Sequence, residues 1–162
     1  MISLRELLTA LKNQGLHTCM ETCGFAAPEL LEKIAPLVDI FLFDYKVTVG
    51  EKHKQCTGVS NEQILKNLKM LDTMGCQTIL RCPIIPGIND TPEHFAGIAN
   101  TANSLQNILQ IDVEPYHPLG AGKARNLGKD YPLEALTFPE NETVESWIKQ
   151  IAEQTSVPVK KG

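Results

Sequence analysis

The feature that most constrains this chain is an alternation of two periodicities. Segments with apolar residues every three or four positions alternate with short, dense apolar runs. The densest run is VDIFLFDY, residues 38–45. Such a run suits a strand covered on both faces, as in a parallel sheet. LHTCMET at 16–22 reads as a shorter strand. CQTILRCPII at 76–85 reads as another and stops at Pro86-Gly87. In ILQIDVEP, residues 108–115, Leu109, Ile111 and Val113 alternate with Gln110, Asp112 and Glu114, which is strand spacing. SVPVK, near the end, is a candidate for a short extra strand.

Helices separate these strands. Over residues 3–14, Leu4, Leu7, Leu8 and Leu11 form a stripe. Ser3 and Glu6 form a capping box, and Gly15 is the stop. Pro28 opens a helix through Leu31 and Ile34. Ser60 and Gln63 read as a second capping box ahead of Ile64, Leu68 and Leu71, with Gly75 as the stop. Thr91-Pro92 opens a helix through Ile98 and Ala102. The last helix begins near Glu140 and carries Val144, Trp147, Ile148 and Ile151.

Strands alternating with helices predict an α/β protein with parallel strands, a partial (βα) barrel of four main βα units. A complete eight-unit barrel needs about 250 residues, and this chain has 162. It also opens on a helix with no preceding strand. Residues 1–162 are therefore expected to form a single domain, part of an open barrel lacking its N-terminal units. A net charge of −4, from 15 basic and 19 acidic residues, argues against a nucleic-acid partner. No apolar window reaches the ~18 residues that a membrane span needs. The N-terminal MISLRELLTALK is too charged for a secretory signal. Five cysteines, an odd number, fit a reduced, cytoplasmic setting.

Chemistry in such folds sits where the strands end. The first strand ends in Glu21-Thr22, the second in Asp44-Tyr45-Lys46. The third carries Arg81, and the fourth ends in Tyr116-His117. Asp44 and Lys46, two residues apart, share one side of a strand. An acid beside an ammonium can hold a zwitterion such as an amino-acid head group; a structural ion pair is the plain alternative. His17, His53 and His94 read as surface residues. Cys76 and Cys82 read as buried small hydrophobes.

Taken in series, GLHTCMETCGF, LFDYK, LRCPIIPGIND and VEPYHPLG resemble the glycyl-radical-enzyme activating enzymes of the radical S-adenosylmethionine family. The likeness runs from about Leu4 to Val159. It implies a radical-S-adenosylmethionine-type (βα)6 partial barrel, of which this chain would be the C-terminal part. The cofactors implied are S-adenosylmethionine and a 4Fe–4S cluster. Reductive cleavage of the first gives a 5′-deoxyadenosyl radical, which takes a hydrogen from a glycine of a partner enzyme. That partner would be a glycyl radical enzyme of the formate acetyltransferase kind, and flavodoxin or ferredoxin the electron donor.

Carried over by position, Asp44, Tyr45, Lys46, Arg81 and His117 would bind S-adenosylmethionine. Glu21, Thr22 and Asp44 would form a monovalent-cation site. Glu21 is one methylene longer than the aspartate common at its place. The Cys-x-x-x-Cys-x-x-Cys loop and Gly-Gly-Glu motif of the family are absent. Cys19 and Cys23 have the first spacing, but position 26 is alanine. The cluster ligands are thus expected upstream of this chain, and the chain alone is expected to lack radical activity. Two other readings remain: a Schiff-base aldolase-like barrel using Lys46, and a non-catalytic half-barrel that binds a protein partner. Missing strands would leave Leu4, Leu8 and Leu11 exposed and favour self-association.

Overall fold

The computed structural model describes residues 2–162. In chain order the elements are α1 (Leu4–Asn13), β1 (Cys19–Thr22), α2 (Pro28–Ile34), β2 (Ile40–Asp44), α3 (Gly50–Thr57), α4 (Glu62–Thr73), β3 (Thr78–Ile84), α5 (Pro92–Asn103), β4 (Ile108–Pro115), α6 (Gly120–Asn126), α7 (Asn141–Ala152) and β5 (Val159–Lys161). The strands form one sheet in the order β1-β2-β3-β4-β5, and every neighbouring pair is parallel. The α/β class and parallel pairing agree with the sequence. The C-terminal run supplies the short extra strand, β5, on the outer edge of β4, beyond the four main strands.

Register sorts the side chains into two faces. Thr22 aligns with Phe43, and Phe43 with Leu80. Asp44 aligns with Arg81, Arg81 with Asp112, and Pro83 with Glu114. On one face Phe41, Phe43, Leu80, Cys82, Ile84, Ile111 and Val113 are wholly buried. They share a core with Leu31 of α2, Leu68 and Leu71 of α4, Phe95 and Ile98 of α5, and Trp147 and Ile151 of α7. Each such side chain contributes about 1.5–3 kcal/mol by leaving water. On the other face Leu42, Asp44, Ile79, Arg81, Pro83, Asp112 and Glu114 are only half-buried. VDIFLFDY is therefore not a strand covered on both faces. Ile40 and Leu42 lie on the half-buried face, opposite the core that α2, α4, α5 and α7 share.

Several local expectations change. The Ser3–Glu6 capping box is present in both directions. The Ser60–Gln63 box is not. Asn61 caps α4 by position without a side-chain bond to it. Its amide is turned inward and donates to the carbonyls of Val47 (3.1 Å) and Thr48 (2.8 Å). Two helices went unforeseen. The segment of α3, GEKHKQCT, has no apolar stripe, and its one buried residue is His53. The α6 segment, GAGKARN, is glycine-rich. Leu109 leaves the alternation expected of β4, because a register shift opposite Thr78 and Ile79 makes it an exposed extra residue.

His53 and His94 are core residues, each 3% exposed, and not surface ones. His53 Nδ1 donates to the Val59 carbonyl at 2.7 Å, which closes the turn after α3. His94 stacks on Tyr45, with ring centroids 5.8 Å apart, and its Nδ1 lies 2.8 Å from Thr48 Oγ1. Leu8 is buried with α2 and the turn after it, not exposed. Leu4 and Leu7 are about half-exposed, and Ile2 is more so. At the far edge, the Gly162 amide donates to Val113, and the Glu114 carboxylate lies beside the Gly162 Cα.

Two measurements test this packing. Gly24 has a φ of +71° and sits against the Phe43 ring, so a Cβ there would collide with it. Gly24→Ala is expected to lower unfolding stability by about 2–4 kcal/mol in a denaturant titration. Burial, and secondarily the charge of Lys52, pushes the His94 pKa from its ordinary 6.5 down to about 4. Between those values the unfolded chain binds a proton that the folded chain refuses. Stability should therefore fall as pH drops from about 6.5 to 4. Chemical denaturation across that window should give a shallower slope for His94→Gln.

Candidate functional site

Because the strands are parallel, their C-terminal ends share one rim. On that rim lies a cavity of about 340 Å³ lined by Glu21, Asp44, Lys46, Arg81, Glu114 and His117, with Pro83, Ile85, Tyr131 and Leu133 as apolar or aromatic walls. Four of the sequence's five ligand-binding candidates therefore meet in one place.

Asp44 and Lys46 point to the same side, with Lys46 Nζ 3.2 Å from Asp44 Oδ2. Tyr45 between them does not join the cavity. Strand alternation turns it to the helix side, where it is 4% exposed and its hydroxyl donates to Thr48 and accepts from Thr101. Thr22 is turned away for the same reason, and its hydroxyl accepts from the Gly24 amide at 3.0 Å.

Arg81 organises the floor. Its Nη1 lies 2.6 Å from Glu21 Oε1, and its Nε donates to Glu114 Oε1 at 2.7 Å. The Glu114 hydrogen bond, followed by that of Glu21, holds the guanidinium charge still more firmly than usual against the opposing effect of burial. Of the three residues expected at a cation site, Glu21 and Asp44 line the cavity, paired to Arg81 and Lys46, and Thr22 bonds the Gly24 amide. Glu114 was visible in the sequence as one of the polar alternations of β4 but was not singled out. Its place two residues past Asp112 on the Arg81 face was the available signal.

Asn89 is another residue that sequence reasoning missed. It is 3% exposed. Its Nδ2 donates to the carbonyls of Lys46 (2.8 Å) and Pro83 (2.7 Å), and its Oδ1 accepts from the Ile85 amide (2.7 Å). One side chain thus ties the turn after β3 to the turn after β2 and sets where Lys46 stands. Tyr116, at the end of β4, does the same for the segment that walls the cavity. Its hydroxyl donates to the Leu133 carbonyl (3.0 Å) and lies 3.2 Å from the Tyr131 hydroxyl. The Tyr131 bond, with some burial, raises the Tyr116 pKa. A second cavity of about 470 Å³ adjoins the first and shares Lys46, Pro83, Ile85 and Leu133 with it. Cys56, Ile88 and Pro132 make its far wall.

All five cysteines are free. Cys19, Cys23 and Cys56 are exposed, and Cys76 is half-buried rather than buried. Cys82 is wholly buried, and burial pushes its thiol pKa up, away from thiolate chemistry. Among the described residues, no three His, Cys, Asp or Glu side chains are placed to hold a metal ion. An iron–sulfur cluster thus finds no ligand set there. The cavity does suit the head group of an amino acid: a carboxylate fits Lys46 and Arg81, and an ammonium fits Asp44. Among the described residues, no helix is long and apolar enough to cross a membrane.

No family model matches the chain. It is 38% identical over 151 residues to the choline trimethylamine-lyase activating enzyme of Oleidesulfovibrio alaskensis, covering 90% of this chain and 49% of that protein. It is 35% identical over 153 residues to the trans-4-hydroxy-L-proline dehydratase activating enzyme of Clostridioides difficile, covering 93% and 50%. Against the pyruvate formate-lyase-activating enzyme of Staphylococcus epidermidis the figures are 32% over 162 residues, 96% and 64%. The chain thus spans about half to two-thirds of these relatives. Among solved structures, a domain of pyruvate-formate lyase-activating enzyme from Bacteroides vulgatus superposes with a TM-score of 0.80 at 22% identity, covering 98% of this chain and 89% of that one. A radical SAM methyltransferase from Sphaerobacter thermophilus gives 0.68 at 11% identity, with coverage of 97% and 44%. These two likenesses speak to the fold.

Removing the Asn89 tie should loosen the rim. Asn89→Ala leaves the Ile85 amide and the Lys46 and Pro83 carbonyls without that partner. It is expected to cost about 1–3 kcal/mol of stability in a thermal or denaturant melt. Amide hydrogen exchange should quicken at residues 85–89.

Proposed function

We propose that this chain, a homologue of the glycyl-radical-enzyme activating enzymes of the radical S-adenosylmethionine family, is the part of such an activase that cradles S-adenosylmethionine. One observation carries the reading. Side chains from the ends of β1, β2, β3 and β4 line a single cavity and supply both signs of charge. S-adenosylmethionine carries a carboxylate, an ammonium and a sulfonium. Lys46 and Arg81 are the groups for the carboxylate, and Asp44 for a cationic centre. His117 stands at the mouth, and Ile85 and Leu133 offer the apolar wall that a nucleoside needs.

When bound beside a cluster held by other residues, S-adenosylmethionine supplies the organic radical chemistry of the family. The work of this chain is to bind and orient the ligand and to keep water from it. Its partner in that reading is a glycyl radical enzyme, with flavodoxin or ferredoxin as electron source and the cytoplasm as setting. The chain alone is expected to be inactive. The aldolase-like reading fares worse, because the Lys46 amine is tied to Asp44 at 3.2 Å and more than a third exposed, not set free in an apolar pocket.

The test is a titration of the 15N-labelled chain with S-adenosylmethionine, followed by NMR. Shift changes should concentrate at Asp44, Lys46, Arg81 and His117. Lys46→Met should weaken binding about ten-fold, the loss of one charge-assisted contact. No shift changes at millimolar ligand, or changes elsewhere on the sheet, would overturn the assignment.

A further inference from the structure

Arg81 has two carboxylate partners of unequal standing. Glu114 belongs to β4, the strand next to Arg81, and its side chain is 29% exposed. Glu21 belongs to β1 and reaches past β2 to meet Arg81. Its side chain is 63% exposed, and β1 has only one hydrogen-bonded neighbour among the described residues. A pair with one partner so exposed adds little stability, because water and salt compete for both charges. The half-buried pair on the adjacent strand is held by better geometry and screened less. The bonds also differ in direction. Glu114 takes Nε, at the stem of the guanidinium, whereas Glu21 takes Nη1, at its tip.

The charge count of the cavity points the same way. Glu21, Asp44 and Glu114 face Lys46 and Arg81, which leaves one surplus negative charge, the histidine aside. A ligand with one carboxylate and two cationic centres carries a net positive charge and matches that surplus. Its carboxylate, however, needs a cation, and the tip of Arg81 is already occupied by Glu21.

From this we infer that Glu21 is a displaceable stand-in for the ligand carboxylate, and that Glu114 is a positioning residue that keeps Arg81 aimed while the exchange occurs. The inference rests on the S-adenosylmethionine reading above and deepens it. On binding, the ligand carboxylate takes the Nη edge of Arg81 and Glu21 swings to solvent. The Nε bond to Glu114 persists. The pair then acts as a specificity device: a ligand lacking the carboxylate leaves Glu21 in place and gains nothing from Arg81.

Calorimetry on this chain tests the exchange with two probes, S-adenosylmethionine and its decarboxylated form, which retains the sulfonium and the amine. Removing the competitor with Glu21→Gln should tighten S-adenosylmethionine about three- to ten-fold and leave the decarboxylated probe no tighter. Glu114→Gln should weaken S-adenosylmethionine about ten-fold and erase most of the preference between the probes, with the decarboxylated form weakened far less. A merely structural role for Glu114 would weaken both probes equally, and that result would overturn its assignment. Should Glu21→Gln weaken S-adenosylmethionine or leave it unchanged, Glu21 is not a displaceable competitor. Binding of both probes with equal affinity by the unaltered chain would sink this inference alone. Binding of neither at millimolar concentration would sink the ligand reading along with it.

Discussion

The rest of the structure depends on strict two-residue alternation along strands in parallel register. Register places Phe43 between Thr22 and Leu80 on one face, and Asp44 beside Arg81 on the other. The first face is dry and joins the helices. The second is half-wet and gathers charge. A one-residue slip of β2 would send Asp44 into the core and Phe43 into the cavity, and both moves are costly. The core and the site are thus two readings of one constraint. That is why Thr22 and Tyr45, each next in sequence to a cavity residue, take no part in the cavity.

Much of this was legible from the residues alone. The parallel α/β class followed from the alternation of periods. Asp44, Lys46, Arg81 and His117 could be placed on one rim because strand ends in such a sheet face one way. Other features were hidden for physical reasons. The α3 segment carries charge and no stripe, so its helix is set by tertiary contacts through His53 rather than by pattern. A histidine looks like surface in a sequence, yet a ring that stacks on Tyr45 and bonds Thr48 is a satisfied core group. Asn89 and Asn61 are polar residues in turns, where their usual part is local. Here each reaches a strand end more than ten residues away, and no spacing rule announces that.

Glu21 shows how a position can be read correctly and its contact missed. Its placement on the cavity side of β1 followed from the sequence. The partner did not, because Arg81 lies two strands and sixty residues on. The added methylene relative to aspartate has a direct steric meaning: it lengthens the reach that brings the carboxylate across β2 to the guanidinium. Another acid of the rim, Asp44, keeps the partner that its spacing suggested, Lys46, at 3.2 Å.

Gly162 carries a practical lesson for anyone handling the protein. Its amide is hydrogen-bonded to Val113, and its Cα lies against the Glu114 carboxylate, so β5 delivers the backbone to the acid that steadies Arg81. A purification handle fused after Gly162 would leave the sheet at that spot. A string of histidines there would set imidazoles, and any nickel they retained, beside the cavity.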